Sequence, residues 1–214
     1  MTYAVKEVFY TLQGEGARAG RPAVFLRFSG CNLWSGREEA RASAVCRFCD
    51  TDFVGTDGTG GGRFDSPTSL GDHVLAHWGG AGEATEARRY VVCTGGEPLL
   101  QLNTALLDAL HEREFEVAVE TNGTISAPTG IDWLTVSPKI DAVLVQRRGD
   151  ELKLVFPQER GEPEQFEGLD FSTFYLQPMD GAEAAQNTRA AIEYVQMNPR
   201  WNLSLQTHKF VGIR

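Results

Sequence analysis

Seven short runs of β-branched and aromatic residues, each stopped by a polar, Gly- or Pro-bearing motif, constrain this chain more than any other feature. They are AVFLRF (23–28), YVVC (90–93), FEVAVE (115–120), DWLTV (132–136), ELKLVF (151–156), TFYLQ (173–177) and WNLSLQ (201–206). Runs of this kind read as strands. The motifs that close them are SGC, TGGEP, ETNG, SPK, QPMD and QTHK, with a bare Pro157 after the fifth. Helical patterns lie between several of them. Residues 37–45 are short and charged. Residues 67–78 start on Pro67 behind Ser66, a favourable cap and first-turn pair. Residues 98–113 start on a proline and carry Leu99, Leu102, Leu106 and Leu110 on one stripe. Residues 182–197 end before Pro199. Strands alternating with helices predict parallel βα units in an α/β fold.

In parallel α/β folds the C-terminal strand ends emerge on one edge, where ligands bind. The motifs are therefore expected to converge. Eight full βα repeats take about 250 residues, more than the 214 of this chain. The expectation is a single domain over 1–214, an incomplete TIM-like barrel of parallel strands with a shortened set of helices. A dinucleotide-binding open sheet is disfavoured, because no G-x-G-x-x-G follows the first strand.

The net charge is −9, from 29 acidic and 20 basic residues. That balance argues against direct binding to a nucleic-acid backbone, which needs a clustered basic face. No run of about 18 apolar residues is available to span a membrane. The start, MTYAVKEVFY, lacks the layout of a signal peptide, so the expected location is cytoplasmic. In a reducing compartment the four cysteines are not expected to form disulfides.

Three of those cysteines are spaced Cys31-x14-Cys46-x2-Cys49, and the fourth is Cys93. A Cys-x2-Cys pair is shared by zinc sites, redox dithiols and iron–sulfur clusters. Structural zinc needs four protein ligands, and Cys93 lies inside an apolar run, where it reads as a small buried residue. Three thiolates suit a four-iron cube with one iron left open to a small chelating ligand. On spacing alone, cluster, zinc and a structural role all stay open. Elsewhere, Gly95 and Gly96 permit close backbone approach and Glu97 could hold an ammonium. Arg27 interrupts an apolar strand and needs a carboxylate partner, either a ligand's or an internal one.

Taken together, Cys46-x2-Cys49 with Phe48 before the last thiol, Thr94–Pro98 (TGGEP) and Glu120–Gly123 (ETNG) resemble the radical S-adenosylmethionine enzymes. The usual spacing there is Cys-x3-Cys-x2-Cys. Here the gap is filled by NLWSGREEARASAV, which predicts a helical insert inside a cluster loop spanning 31–49. The stretches 10–16 (YTLQGEG), 27–33 (RFSGCNL), 49–51 (CDT), 137–139 (SPK), 177–180 (QPMD) and 206–209 (QTHK) narrow the resemblance. The chain is similar, from residue 7 to 209, to the 7-carboxy-7-deazaguanine synthases, some of which carry an expanded first cysteine gap.

The resemblance implies a lyase reaction in which 6-carboxy-5,6,7,8-tetrahydropterin becomes 7-carboxy-7-deazaguanine and ammonia, a step toward 7-deazapurines such as the queuosine precursor. It also implies a homodimer, S-adenosylmethionine, Mg2+, and flavodoxin or ferredoxin as electron donor. Cys31, Cys46 and Cys49 would hold a [4Fe–4S] cluster and Thr51 would contact Mg2+. Phe48, Cys49, Asp50, Gly95, Gly96, Glu97, Ser137, Pro138, Lys139, Gln177, Pro178, Met179 and Asp180 would bind S-adenosylmethionine. Leu12, Gln13, Gly14, Glu15, Arg27, Thr94, His208 and Arg214 would face the substrate. No side chain is assigned a catalytic role of its own. Two rivals remain: another radical enzyme, such as a glycyl-radical activase, and a zinc-stabilised binding module without catalysis.

Overall fold

The computed structural model describes residues 2–79 and 89–214. All seven apolar runs are strands, joined by two more. In chain order they are β1 (Tyr3–Leu12), β2 (Pro22–Phe28), β3 (Gly62–Phe64), β4 (Arg89–Gly95), β5 (Phe115–Thr121), β6 (Trp133–Val136), β7 (Arg148–Phe156), β8 (Asp170–Pro178) and β9 (Trp201–Leu203). They make one sheet in the order β3-β1-β2-β4-β5-β6-β7-β8-β9. The ladder is parallel from β2 through β9. β1 runs antiparallel to both β2 and β3.

β3 and β9 form the two edges, so the sheet is α/β and open rather than a closed barrel. Its far ends meet through loops. Thr207 N donates to Gly14 O at 2.9 Å, and Gly16 N donates to Ser204 Oγ at 2.9 Å. These bonds tie the turn after β1 to the segment after β9 and give the sheet an inner face.

The strict alternation of side chains along a strand sorts the sheet into two surfaces. Val24, Leu26 and Phe28, Val91 and Cys93, Val117 and Val119, and Leu152 and Leu154 all point into the large outer core. The inner face carries a small cluster at its base, Ala23, Tyr90, Val92 and Ala118, and polar residues above it. Cys93 thus faces away from the inner surface, as a small buried apolar residue should.

Among the described residues four α-helices accompany the sheet: α1 (Pro67–Ala76), α2 (Thr104–His111), α3 (Ala184–Met197) and α4 (Thr207–Val211). Ser66 caps α1, its side chain accepting from Ser69 N at 3.0 Å. The helix expected over 98–113 is broken. Glu97 and Asn103 each turn a side-chain oxygen onto the backbone, accepting from Leu99 N at 3.0 Å and Leu106 N at 3.1 Å. Only a 3-10 turn forms at Pro98–Leu100, and α2 begins again after the Asn103 cap. The leucine stripe survives the break, since Leu99, Leu102, Leu106 and Leu110 are all buried. Replacing Leu106 by alanine should cost about 2–5 kcal/mol in urea unfolding; a loss below about 1 kcal/mol would mean the site can collapse around the cavity.

The connections β5–β6, β6–β7 and β7–β8 contain no α-helix, so the expected alternation holds over only part of the sheet. Among the described residues no helix is long and apolar enough to cross a membrane.

Candidate functional site

The inner face opens into a cavity of about 530 Å³, within the range that takes small ligands. Of the residues singled out from sequence, all but Glu97 and Pro138 line it. Its floor comes from the turn after β1. Leu12 pairs with Pro22 at the start of β2, so the turn enters from the end opposite the strand C-termini. Gly14 lies directly under His208, and a Cβ there would meet the His208 Nδ1 at 2.2 Å.

All three candidate cluster thiols reach this cavity. The fourteen-residue gap folds back on itself, because Val45 N and Cys46 N both donate to Leu33 O, at 3.1 and 3.3 Å. This pinch turns residues 34–44 into an excursion. Across its base, Asn32, Leu33 and Val45 separate Cys31 from Cys46, the same count of residues as in Cys-x3-Cys-x2-Cys. The expected helix of the insert is a 3-10 turn, Glu38–Ser43.

The donor set fits an iron–sulfur cube better than one ion. Structural zinc takes four protein ligands, whereas Cys31, Cys46 and Cys49 bring three thiols to the cavity wall, the number that leaves one iron of a cube open. The thiols are also electrostatically unequal. A hydrogen bond from Cys46 lowers Cys49 to about 6, while the same bond and burial push Cys46 up.

Gly96 and Glu97 build the wall behind Cys31. Glu97 N donates to Gly30 O at 2.9 Å, and a Cβ on Gly96 would lie 2.2 Å from that same oxygen. The Glu97 carboxylate is fully buried and does not line the cavity. It accepts from Leu99 N at 3.0 Å, Thr121 Oγ1 at 2.8 Å and Asn122 N at 2.8 Å. Burial raises its pKa and these donors oppose the rise. The geometry makes it a strut between β4 and β5 rather than a direct ammonium contact. Pro138 likewise turns away, its carbonyl accepting from Gln158 Nε2 at 3.2 Å.

Lys139 does reach the cavity. Its ammonium donates to Ser137 O and Oγ at 2.7 and 2.8 Å, 5.9 Å from the Phe48 ring centre. Burial lowers its pKa.

Arg27 has the internal partner that its apolar strand calls for. Its Nε meets Glu7 at 2.8 Å, and Glu7 also pairs with Arg214. Both arginines line the cavity, and their fork geometry suits a planar carboxylate. Thr11 Oγ1 donates to Arg214 O at 2.8 Å, which seats the last residue against β1.

The sequence reading missed the ionic centre of the floor. Lys153, 4% exposed, contacts Glu15 at 2.5 Å and Glu120 at 3.6 Å. Gln13 Nε2 donates to Glu120 at 2.9 Å, and Gln206 Nε2 donates to Glu15 at 3.0 Å. Burial pushes the Glu15 carboxyl up, but the Lys153 ammonium and hydrogen bonds from Lys153 and Gln206 outweigh it and hold it at about 2. A lysine inside ELKLVF carries the same cost as Arg27 in its own strand, and that signal could have found it.

Lys209 is another omission. It bridges Asp50 at 2.7 Å and Asp180 at 2.5 Å, joining the cluster loop to the end of β8 across the cavity mouth. Burial raises the Asp50 pKa, and Lys209 brings it below the ordinary value.

No protein-family model matches the chain. Curated relatives do. A 7-carboxy-7-deazaguanine synthase of Bradyrhizobium diazoefficiens is 63% identical over 214 residues, covering 100% of both chains. One from Caulobacter vibrioides is 61% identical over 213 residues, again with 100% of both covered. Among solved structures, the crystal structure of QueE from Escherichia coli superposes with a TM-score of 0.70 at 29% identity, covering 97% of this chain and 95% of that one. With this similarity along the whole chain, and with the cysteine loop and strand-end motifs gathered around one cavity, the protein belongs to the 7-carboxy-7-deazaguanine synthase family.

Proposed function

We infer that this protein is a radical S-adenosylmethionine lyase that converts 6-carboxy-5,6,7,8-tetrahydropterin to 7-carboxy-7-deazaguanine and ammonia, in the biosynthesis of 7-deazapurines such as the queuosine precursor. The observation that carries the reading is convergence: three thiols, five further strand-end motifs and a polar floor face a single cavity. When bound, the cluster and S-adenosylmethionine supply the one-electron bond cleavage that starts a radical reaction.

The chain's own residues bind, orient and exclude water. Cys31, Cys46 and Cys49 are the thiolates for the cluster. Ser137, Lys139, Gln177 to Asp180, Phe48 and Asp50 line the wall next to them, where S-adenosylmethionine would lie. On the floor, Glu15 and Glu120 offer acceptors, which suit the N–H-rich edge of an aminopyrimidinone. Arg27 and Arg214 offer donors for the substrate carboxylate. Thr51, at the end of the cluster loop, provides a hydroxyl for Mg2+, an ion that keeps several waters and leans on substrate oxygens. A homodimer working in the cytoplasm, with flavodoxin or ferredoxin as reductant, completes the proposal.

The test is direct. Protein reconstituted without oxygen should be brown, and with the carboxytetrahydropterin, S-adenosylmethionine, Mg2+ and dithionite it should release equal amounts of the deazaguanine and ammonia. A brown, folded protein that binds the pterin and yields neither product would overturn the reading.

A further inference from the structure

The excursion over 34–44 lies outside the pinch at Leu33, across which three residues separate Cys31 from Cys46. What it adds is one arginine at the centre of four contacts. The Arg41 guanidinium lies 4.0 Å from the centre of the Trp34 ring. Its Nη1 donates to the main-chain carbonyls of Arg47 and Cys49, at 3.0 and 3.1 Å. Its Nε donates to both carboxylate oxygens of Glu38 at 2.8 Å. Trp34 is itself anchored, its indole N–H donating to Arg37 O at 3.2 Å and its ring meeting Phe53 edge-on at 5.6 Å.

We propose that Arg41 is a positioning residue for the cluster: it clamps the excursion onto the Cys46–Cys49 loop, fixing the backbone of the last thiolate and sealing that side of the cluster from solvent. The inference rests on the cluster-binding reading and deepens it. The two carbonyls flank Phe48 and both accept from the one Nη1, so a single nitrogen sets the path of the Cys-x2-Cys turn. A lysine could not do the same, because it has one nitrogen where Arg41 uses Nε for Glu38 and Nη1 for the two carbonyls, and no planar face to lay on the indole. Outer contacts of this kind orient metal ligands, and losing one typically costs 10–100-fold in metal affinity.

The test uses reconstituted full-length protein and follows loss of the cluster's visible absorbance in an iron chelator, together with the thermal midpoint of the iron-free chain. R41M keeps the aliphatic stem against Trp34 and removes the donors. It should bleach about tenfold faster than wild type, with the iron-free midpoint unchanged. R41K should recover little of the difference. R41M protein that takes up no iron while its iron-free chain melts like wild type would support the proposal in its strongest form. Bleaching of R41M at the wild-type rate would overturn it, as would a fully effective R41K. So would an R41M change confined to the midpoint of the iron-free chain, which would make Arg41 a strut of the fold only. If wild type itself held no cluster, the cluster-binding reading would fall first, and separately.

Discussion

Replacing Gly96 by alanine should strip the protein of its cluster while leaving the sheet intact. The added methyl would sit 2.2 Å from Gly30 O and 2.8 Å from the Cys31 Cβ. Neither neighbour is a side-chain tip that can swing aside. On one flank the backbone is held by the β2–β4 ladder, which ends with Phe28 beside Gly95; on the other, Glu97 N is bonded to Gly30 O. The weakest restraint is the Cys31 loop, so relief of the clash moves the first thiol. Overpacking of this kind costs about 1–3 kcal/mol, which a chain of this size survives, and iron affinity should fall by at least the 10–100-fold seen when a ligand loses its support. Iron content after desalting, set beside the far-ultraviolet spectrum, decides it. Iron retained at the wild-type level would show that the loop tolerates the shift.

The second large effect concerns Lys153. Removing it leaves Glu15 and Glu120 facing one another through the buried floor, with Glu151 nearby, itself raised by burial. Deleting one member of a buried ionic group costs about 3–5 kcal/mol, so K153M should lose that much in urea unfolding at pH 7. The pH dependence has a definite sign. Glu15 is held at about 2, below its ordinary 4.5. Its contribution is therefore complete above 4.5 and is lost as pH falls through 4.5 toward 2. Lys153 is raised above its ordinary 10.5, so its share is fully present at neutral pH. The gap between wild type and K153M should accordingly narrow below about pH 4.5. A gap constant from pH 7 to pH 3 would remove the ion pair as its cause. The K153M/E15Q double variant should regain part of the loss, because it no longer buries two unpaired carboxylates.

Much of this architecture is legible from one sequence because its main signals are strong. β2 and β4 through β8 are apolar runs closed by Gly, Pro or polar residues, and the structure keeps every one of them. β1 escaped because its period is broken. The register shifts between Val5 and Glu7, so the alternation that marks a strand slips partway along, and its antiparallel sense is invisible to an argument built on βα repeats. α2 was misjudged through a cap. Asn103 looked like one more residue on a leucine-striped helix, yet its side-chain oxygen caps the start of a new one.

The cavity's composition was largely readable from strand-end motifs, but side-chain direction was not. Glu97 and Lys139 both sit in such motifs; one turns into the core and the other toward the cavity, and only backbone geometry decides which. Lys153 was overlooked although the reasoning applied to Arg27 covers it equally. The stretched cysteine gap supported the family resemblance but hid its own closure, since linear distance says nothing about a hydrogen bond that folds the gap shut.

The tie between the turn after β1 and the segment after β9 has a consequence for synthesis. A ribosome makes the chain from its N-terminus, so the thiols at 31, 46 and 49 leave the tunnel well before Ser204, Thr207, His208 and Lys209. Until that stretch arrives, Gly14 and Gly16 lack their bonds to Thr207 and Ser204, and Asp50 lacks its lysine bridge to Asp180. A nascent chain shorter than about 204 residues therefore carries its cysteines without the bonds that tie the two ends of the sheet together around them.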